Sequence, residues 1–288
     1  MVLEAPSIKA KATITWEPLP ANFILPDDPV ENIQQPALAA ALTDALGASA
    51  YIQPEMLIGS NLGLVATINK KIIVKAPDWF YVPQVHPVPE GVIRLSYTPN
   101  TDGAAIAIVM EFLSEAEGGE LSIRSTPPYG KLHFYEQILQ VPTYITYDPY
   151  EGSLEARYLQ DNKYTLHSAD SQKRIWIPQL ELYLGIWSGE RLGQTMNWLR
   201  WWDKSGNLLL WSSEQAEEER RKAEEERRKA EEERRKAEEE RRKAEEERRK
   251  AEEERRKAEE ERQRADKEHQ RAEKLAAKLR ELGIDPEA

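Results

Sequence analysis

Three polar residues stand where the surrounding sequence is apolar. Asp78 interrupts IIVKAPDWFYV, Glu111 interrupts IAIVMEFL, and Lys131 opens the predicted helix that follows. A carboxylate inside a buried strand is costly unless it is paired with a cation or bound to a metal. Two such carboxylates on neighbouring strands could hold Mg²⁺, which favours oxygen ligands and keeps several of its waters. A nearby lysine could then orient an attacking water and stabilise charge on a phosphoryl oxygen.

The same residues also have a structural interpretation. Asp78 follows Pro77 at the start of a strand, where turn chemistry suits an aspartate. Glu111 could be a rim residue satisfied by Lys131 or by a backbone N–H. From the residues alone, the structural interpretation is favoured over the catalytic one, because ion pairs in ordinary structure also place charges in such positions.

The elements that must position these residues follow from the hydrophobic pattern. Leu38, Leu42, Ala45 and Leu46 share one helical face, and a turn at Asn69-Lys70 favours a hairpin. A helix, three strands, a helix and a strand are predicted over residues 37–47, 63–68, 71–82, 104–113, 129–140 and 141–149. This order is typical of a mixed α/β fold whose short central sheet carries a site at its edge.

Additional hairpins are predicted after this core. One joins residues 155–160 to 163–168, and another contains Trp198, Trp201 and Trp202. These tryptophans could form a stacking platform for sugars or bases, but a packed hairpin is the favoured interpretation, because strand tryptophans usually fill a core.

Composition excludes several classes of site. The chain has no cysteine, so disulfides, thiolate metal sites and thiol nucleophiles are excluded. His86, His133 and His167 lack zinc-ligand spacing. The longest purely apolar run, residues 104–110, is far shorter than the ~20 residues of a membrane span, and the first residues lack an apolar signal core. We therefore expect a cytoplasmic protein that does not cross a membrane.

The formal charge of −11 is unevenly distributed. Residues 213–288 carry 28 acids and 25 bases, a net of −3, which leaves 23 acids and 15 bases, a net of −8, in residues 1–212. All eight tryptophans lie in the first part. A net of −8 disfavours non-specific binding to nucleic acid, so any action on DNA would have to rely on local positive charge or on metal ions.

The second part is dominated by a heptad, AEEERRK, that repeats six times from Ala216 to Lys257. Its glutamates precede arginines and lysines by three or four residues, which stabilises an isolated helix. Ser212 and Gln215 fit a capping box at the helix start. A seam of alanine and glutamate would bury almost nothing, so a solvated single-helix spacer is favoured over a coiled coil. A short apolar stripe at Leu275, Leu279 and Leu282 leaves a homodimer contact as the alternative.

Several segments together resemble the Uma-two family of restriction endonuclease-like proteins, which belongs to the PD-(D/E)xK nuclease superfamily. They are IQPEMLIGSNLGL, KAPDWFYVPQV, AIVMEFLSE, GKLHFYEQILQVPTYITYD, MNWLRWWDKSGNLLL and the terminal LAAKLRELGIDPE. The resemblance covers about residues 30 to 212 and the last twenty or so. It implies a core of helix, three strands, helix and strand, in agreement with the order predicted above.

The resemblance also implies roles for individual residues. Asp78 of Pro77-Asp78 matches the first metal-ligand acid, and Glu111 matches the second. The lysine expected two residues after the second acid is replaced by Leu113, and the basic role is expected to move onto the next helix, at Lys131. Glu120 and Arg124 are candidate helpers that no motif supports.

We therefore expect a restriction-endonuclease-like α/β fold with extra hairpins, followed by a long charged single helix. The predicted regions are an N-terminal arm (1–30), a nuclease-like domain (31–212), a heptad-repeat helix (213–271) and a short apolar helix end (272–288). The predicted function is hydrolysis of DNA phosphodiester bonds with Mg²⁺ or Mn²⁺ on Asp78 and Glu111. The alternative is a catalytically inactive nuclease-fold interaction module with a helical spacer or oligomerisation tail.

Overall fold

A computed structural model describes residues 13–17, 33–113, 120–167 and 169–281, without the side chains of Leu279 and Glu281. The chain divides into two compact units, residues 1–216, here the globular unit, and residues 217–288, here the tail unit. The two units are described separately.

The described residues contain thirteen strands and three helices, joined by loops. The strands are β1 Ile14–Thr15, β2 Leu57–Gly59, β3 Gly63–Ile68, β4 Lys71–Lys75, β5 Trp79–Val82, β6 Ser96–Tyr97, β7 Ile108–Phe112, β8 Thr143–Asp148, β9 Ser153–Gln160, β10 Lys163–His167, β11 Arg174–Ile177, β12 Leu182–Arg191 and β13 Gln194–Trp202. The helices are α1 Gln34–Ala48, α2, which is α-helical over Lys131–His133 and π-helical over Phe134–Ile138, and α3 Ser212–Glu281.

The central sheet has six strands in the order β10-β9-β8-β7-β5-β2. Strands β7 and β8 run parallel, whereas the other neighbours are antiparallel. A second sheet contains β1, β3, β4 and β6, and a third contains β11, β12 and β13. This mixed α/β architecture confirms the predicted fold class.

The central sheet is covered on both faces. Ile108, Met110 and Phe112 of β7 pack in one core with α1 and the third sheet. Val109, between them, packs in the other core with α2 and β3. Because side chains alternate along a strand, Glu111 is directed to the same face as Val109. That residue therefore takes a position that an apolar side chain would normally fill.

The predicted strand over residues 71–82 is wrong in one respect, since it is divided into two strands in different sheets. Strand β4 pairs with β3, whereas β5 pairs with β2 and β7. Pro77 lies at the break and has no backbone N–H to donate to a ladder. The break places Asp78 immediately before β5, in the central sheet.

One other element has different bounds from the prediction. Helix α2 begins at Lys131 rather than at residue 129, and its second part is π-helical, with Phe134 and Tyr135 both fully buried. Strand β6 contains only Ser96 and Tyr97, which pair in parallel with β3. The tryptophan hairpin is packed as predicted, because Trp198, Trp201 and Trp202 are all buried.

Helix α3 begins in the globular unit. Its capping differs from the predicted box, because the Glu214 carboxylate accepts from the Trp211 backbone N–H at 2.8 Å. The same carboxylate pairs with the fully buried Arg200 at 2.6 Å, and the guanidinium lies over the Trp211 ring, 3.4 Å from its centroid. The start of the helix is thereby joined to the core by charge and by aromatic contact.

The tail unit is the solvated continuation of α3. Glutamate and lysine four residues apart form a series of exposed ion pairs, for example Glu225 with Lys229 at 2.9 Å. Of the predicted apolar stripe, Leu275 is 64% exposed, whereas the Leu279 side chain and Leu282 lie outside the described residues.

Two further predictions concern the N-terminal arm and the membrane. Of the predicted N-terminal arm, residues 13–17 are described, and Ile14 and Thr15 pair with β3; the rest of the arm lies outside the described residues. No helix in the described ranges combines the length and apolar character that crossing a membrane requires.

Candidate functional site

The two predicted acids lie opposite each other across neighbouring strands. Trp79 of β5 pairs with Met110 of β7, so the register places Asp78 opposite Glu111. Directly opposed residues of an antiparallel pair have Cβ atoms about 4.5–5.5 Å apart on the same face. One Asp78 oxygen, Oδ2, accepts from the Phe112 backbone N–H at 2.5 Å, which fixes this carboxylate beside the peptide that follows Glu111.

The Glu111 side chain is fully buried, and each of its oxygens has a donor. Oε2 accepts from Lys131 Nζ at 3.1 Å, and Oε1 accepts from the Tyr135 hydroxyl at 2.8 Å. Both donors come from α2, four residues apart on one side of the helix. The helix therefore holds this carboxylate from above the sheet.

Burial changes the acidity of Glu111. Removal from water raises its pKa to about 8, and the negative charge of Asp78 acts in the same direction. The Lys131 charge and the Tyr135 hydrogen bond oppose this rise without cancelling it. Glu111 is therefore harder to ionise than an ordinary glutamate, and an additional positive charge beside it would favour its ionised form.

Lys131 is surrounded by acids. Its Nζ lies 3.1 Å from Glu111 Oε2 and 4.0 Å from Glu120 Oε1, and its side chain is 23% exposed. Burial lowers the pKa of Lys131, but the charges of Glu111, Asp78 and Glu120 outweigh it and raise that pKa above its ordinary value. The amine therefore stays cationic and acts as a hydrogen-bond donor.

Sequence reasoning did not identify Tyr135 as part of this cluster, and it found no motif that supports Glu120. Tyr135 lies within the predicted helix over residues 129–140 but was not singled out, although its spacing of four residues from Lys131 was a signal for a shared face. Glu120, predicted only as a helper, is 4% exposed, and its backbone carbonyl accepts from the Tyr144 hydroxyl at 2.8 Å. The other predicted helper, Arg124, is exposed and donates to the Pro127 carbonyl.

A second polar pair lies beside the carboxylates on the sheet. Thr146 of β8 pairs with Glu111 in the parallel register and is buried. Its hydroxyl accepts from the Arg157 guanidinium at 3.1 Å, and Arg157 also pairs with Glu155 at 2.5 Å. The Arg157 guanidinium, which comes from β9, therefore contacts β8, the strand next to the one that carries Glu111.

The donor set fits Mg²⁺ better than a metal that needs a cage of protein ligands. Within the described ranges, no group of three histidine, aspartate or glutamate residues is arranged to hold a metal ion. Magnesium is commonly held by one or two carboxylates together with waters and substrate phosphates. Asp78 and Glu111 could supply such a pair, with Glu111 Oε2 on the side of the partly exposed Lys131.

Chemically, this arrangement combines two opposed carboxylates with a fixed ammonium. The acids can hold a divalent cation, while the ammonium can donate to a water or to a phosphate oxygen. Leu113, at the position of the lysine expected from the motif, follows the end of β7, and its N–H donates to the Tyr147 carbonyl. Lys131 reaches the acids from α2 instead.

A known protein family matches the part of the chain that contains this site. A family model named Uma2, with the description "Putative restriction endonuclease", matches residues 29–194. The match covers more than half of the 288-residue chain and contains the acidic cluster with Lys131 and Tyr135. No match is found among curated proteins.

Proposed function

The chain belongs to the Uma2 family, whose description indicates a nuclease-like function, and on that premise we propose that it is a metal-dependent endonuclease that hydrolyses DNA phosphodiester bonds. Asp78 and Glu111 hold Mg²⁺ or Mn²⁺, and Lys131 orients the attacking water. The observation that supports this proposal most directly is the contact of a lysine ammonium, at 3.1 Å, with a buried carboxylate opposite a second one.

Each residue has a physical reason for its role. Asp78 and Glu111 are acids on opposed strands, so they can share one hard cation. That cation, when bound, supplies positive charge for the phosphoryl oxygens and for the attacking water. Lys131 stays protonated, so it donates to oxygen rather than accepting a proton, and it can hold the water or stabilise the phosphate oxygen that gains charge.

The charge of the chain supports metal dependence. Residues 1–212 carry a net of −8, which repels a phosphate backbone. Two of those charges belong to Asp78 and Glu111, and a divalent cation on them would lower the negative potential that a phosphate meets. DNA binding is therefore expected to strengthen when Mg²⁺ or Mn²⁺ is present.

A second candidate function is a nuclease-fold interaction module without catalysis, which uses the long helix as a spacer or for oligomerisation. Leu113 in place of the motif lysine favours this alternative, as does the Glu111 pKa of about 8, which disfavours an ionised ligand at neutral pH. Homodimer formation through Leu275, Leu279 and Leu282 stays a prediction; comparing the sedimentation of the full chain with a chain ending at Lys257 tests it.

Plasmid nicking tests the proposal. The full chain is incubated with supercoiled DNA and Mg²⁺ or Mn²⁺, with and without chelator, alongside Asp78→Ala and Glu111→Ala. The surface variant Glu181→Gln is the control, because Glu181 forms an exposed pair with Lys204. We expect metal-dependent nicking that falls at least 100-fold in both site variants and is unchanged in the control. Equal nicking by wild type and Glu111→Ala would contradict the site, and the absence of nicking with either metal would favour the interaction module.

A further inference from the structure

The two oxygens of Glu111 are held differently. Oε1 accepts from Tyr135, which is fully buried, whereas Oε2 accepts from Lys131, whose side chain is 23% exposed. Of the two donors, the lysine lies on the side that solvent reaches. Oε2 is therefore the oxygen that an incoming cation can approach, and Oε1 is the oxygen that the protein keeps.

We infer that Tyr135 is a positioning residue for the proposed metal site, because its hydroxyl fixes Oε1 of Glu111 and thereby presents Oε2 to a divalent cation. This inference rests on the proposed function. It adds a residue that is neither an acid nor a base to the group on which cation affinity depends, and it assigns the two carboxylate oxygens separate tasks.

The packing of Tyr135 supports a fixed hydroxyl. Its ring lies 5.9 Å from the Phe134 ring and 5.3 Å from the Tyr144 ring, centroid to centroid. The residue lies in the π-helical part of α2, and such segments occur often at functional sites. Because its ring is packed and its hydroxyl is hydrogen-bonded, Tyr135 has a fixed position and can orient the Glu111 carboxylate.

A purely structural role predicts a different result. In that case the Tyr135 hydroxyl would only satisfy a buried oxygen, and its removal would lower stability without changing cation affinity. The chain contains a matched control, Tyr147, which is also fully buried and donates its hydroxyl at 2.7 Å to a backbone carbonyl, that of Asn197. Tyr147 packs on the opposite face of the central sheet, in the core with α1.

The experiment compares the full-length wild type, Tyr135→Phe and Tyr147→Phe. Calorimetric titration measures the affinity for Mn²⁺, and Glu111→Ala is titrated in parallel to identify the binding that depends on Glu111. Plasmid nicking measures the Mg²⁺ concentration that gives the half-maximal rate. We expect Tyr135→Phe to weaken both about tenfold, as is typical for a residue that supports a metal ligand, with the rate recovering at saturating Mg²⁺. Tyr147→Phe should change neither by more than about twofold, while urea unfolding shows that both variants fold.

Equal Mn²⁺ affinity in wild type and Tyr135→Phe would overturn the inference. A double variant tests whether Tyr135→Phe acts through Glu111 or through general packing. In the Glu111→Gln background, adding Tyr135→Phe should weaken Mn²⁺ binding no further. A further tenfold loss would also overturn the inference. Wild type that binds Mn²⁺ without nicking DNA would defeat the proposed function alone, because the binding comparison still decides the role of Tyr135. Wild type that neither binds nor nicks would defeat both.

Discussion

The chain contains the same ion pair in two opposite environments. In the globular unit, Glu111 and Lys131 meet at 3.1 Å with the carboxylate fully buried. In the tail unit, Glu225 and Lys229 meet at 2.9 Å, and both side chains are more than half exposed. The distances are nearly equal, so any difference between the pairs comes from their surroundings.

The surroundings reverse the direction of the pKa shift. The hydrogen bond and charge of Lys229 lower the pKa of Glu225, whereas burial raises the pKa of Glu111 to about 8 in spite of Lys131. In water, Lys229 adds a small stabilisation to the charge of Glu225, which is already hydrated. Inside the protein, Lys131 only partly offsets the hydration that the Glu111 charge has lost. A close ion pair is therefore no measure of stabilisation by itself.

The comparison separates a pair that stabilises a helix from a pair that fits a functional site. The tail repeats its exposed pairs at regular intervals, so we expect each single pair to contribute little to stability. The globular unit keeps a costly pair where three acids surround one ammonium. Costly buried charges are expected where a ligand, here a proposed cation and phosphate, meets the protein.

The largest effect on stability is expected from removing the buried ammonium of Lys131. Lys131→Met leaves Glu111 buried without its cation, so we expect the free energy of unfolding at pH 9 to fall by about 3–5 kcal/mol. At pH 5 the loss should be smaller, because Glu111 is then neutral in both proteins. Urea unfolding at the two pH values measures the difference. A loss that is the same at pH 5 and pH 9 would show that the packing of the lysine stem, rather than its charge, is responsible.

Neutralising the buried acid should have a smaller effect with the opposite sign. The Glu111 pKa is raised from 4.5 to about 8, so the folded state holds the additional proton, and wild-type stability falls as pH rises through that window. Glu111→Gln removes this dependence, and its stability relative to wild type should rise by about 2–4 kcal/mol between pH 5 and pH 9. Lys131 does not contribute to the change, because its raised pKa lies above the whole range.

Urea unfolding of both proteins at intervals of one pH unit measures this dependence. Asp44→Asn serves as a control, because Asp44 also has a charged partner, Arg191 at 2.8 Å, but its pKa is lowered rather than raised. Parallel stability curves for Glu111→Gln and wild type from pH 5 to pH 9 would contradict the raised pKa of Glu111.

Much of the fold could be predicted because its signals are local. The heptad, the apolar face of α1 and the apolar run of β7 follow from spacing alone, and the two acids could be identified as interruptions of apolar runs. The division of residues 71–82 between two sheets could not be predicted, because it depends on β5 pairing with β2 and β7, which are distant in sequence. Pro77 showed where a break was favoured but not which partners the second strand would take.

The site was less predictable than the fold. The residues alone suggested Asp78, Glu111 and Lys131 as a possible metal and phosphate site, but only the family resemblance favoured that interpretation over a structural one, and their roles stay predictions. The contact of Tyr135 with Glu111 was missed because a tyrosine on an apolar helix side is usually core, and only the position of the helix over β7 shows that its hydroxyl meets a carboxylate. Glu120 follows no repeat or motif, so its approach to Lys131 becomes visible only in three dimensions.

The smallest effect is expected from the same substitution made in the tail. Lys229→Met removes an ammonium at 2.9 Å from Glu225, just as Lys131→Met does from Glu111, but water and the neighbouring arginines continue to solvate and offset the exposed carboxylate. We expect no measurable change in the urea midpoint of the globular unit and at most a slight loss of helical circular dichroism at 222 nm. One molar NaCl should reduce that slight loss further, because salt screens exposed pairs. If Lys229→Met destabilised the globular unit as much as Lys131→Met, the difference between the two pairs could not be attributed to burial.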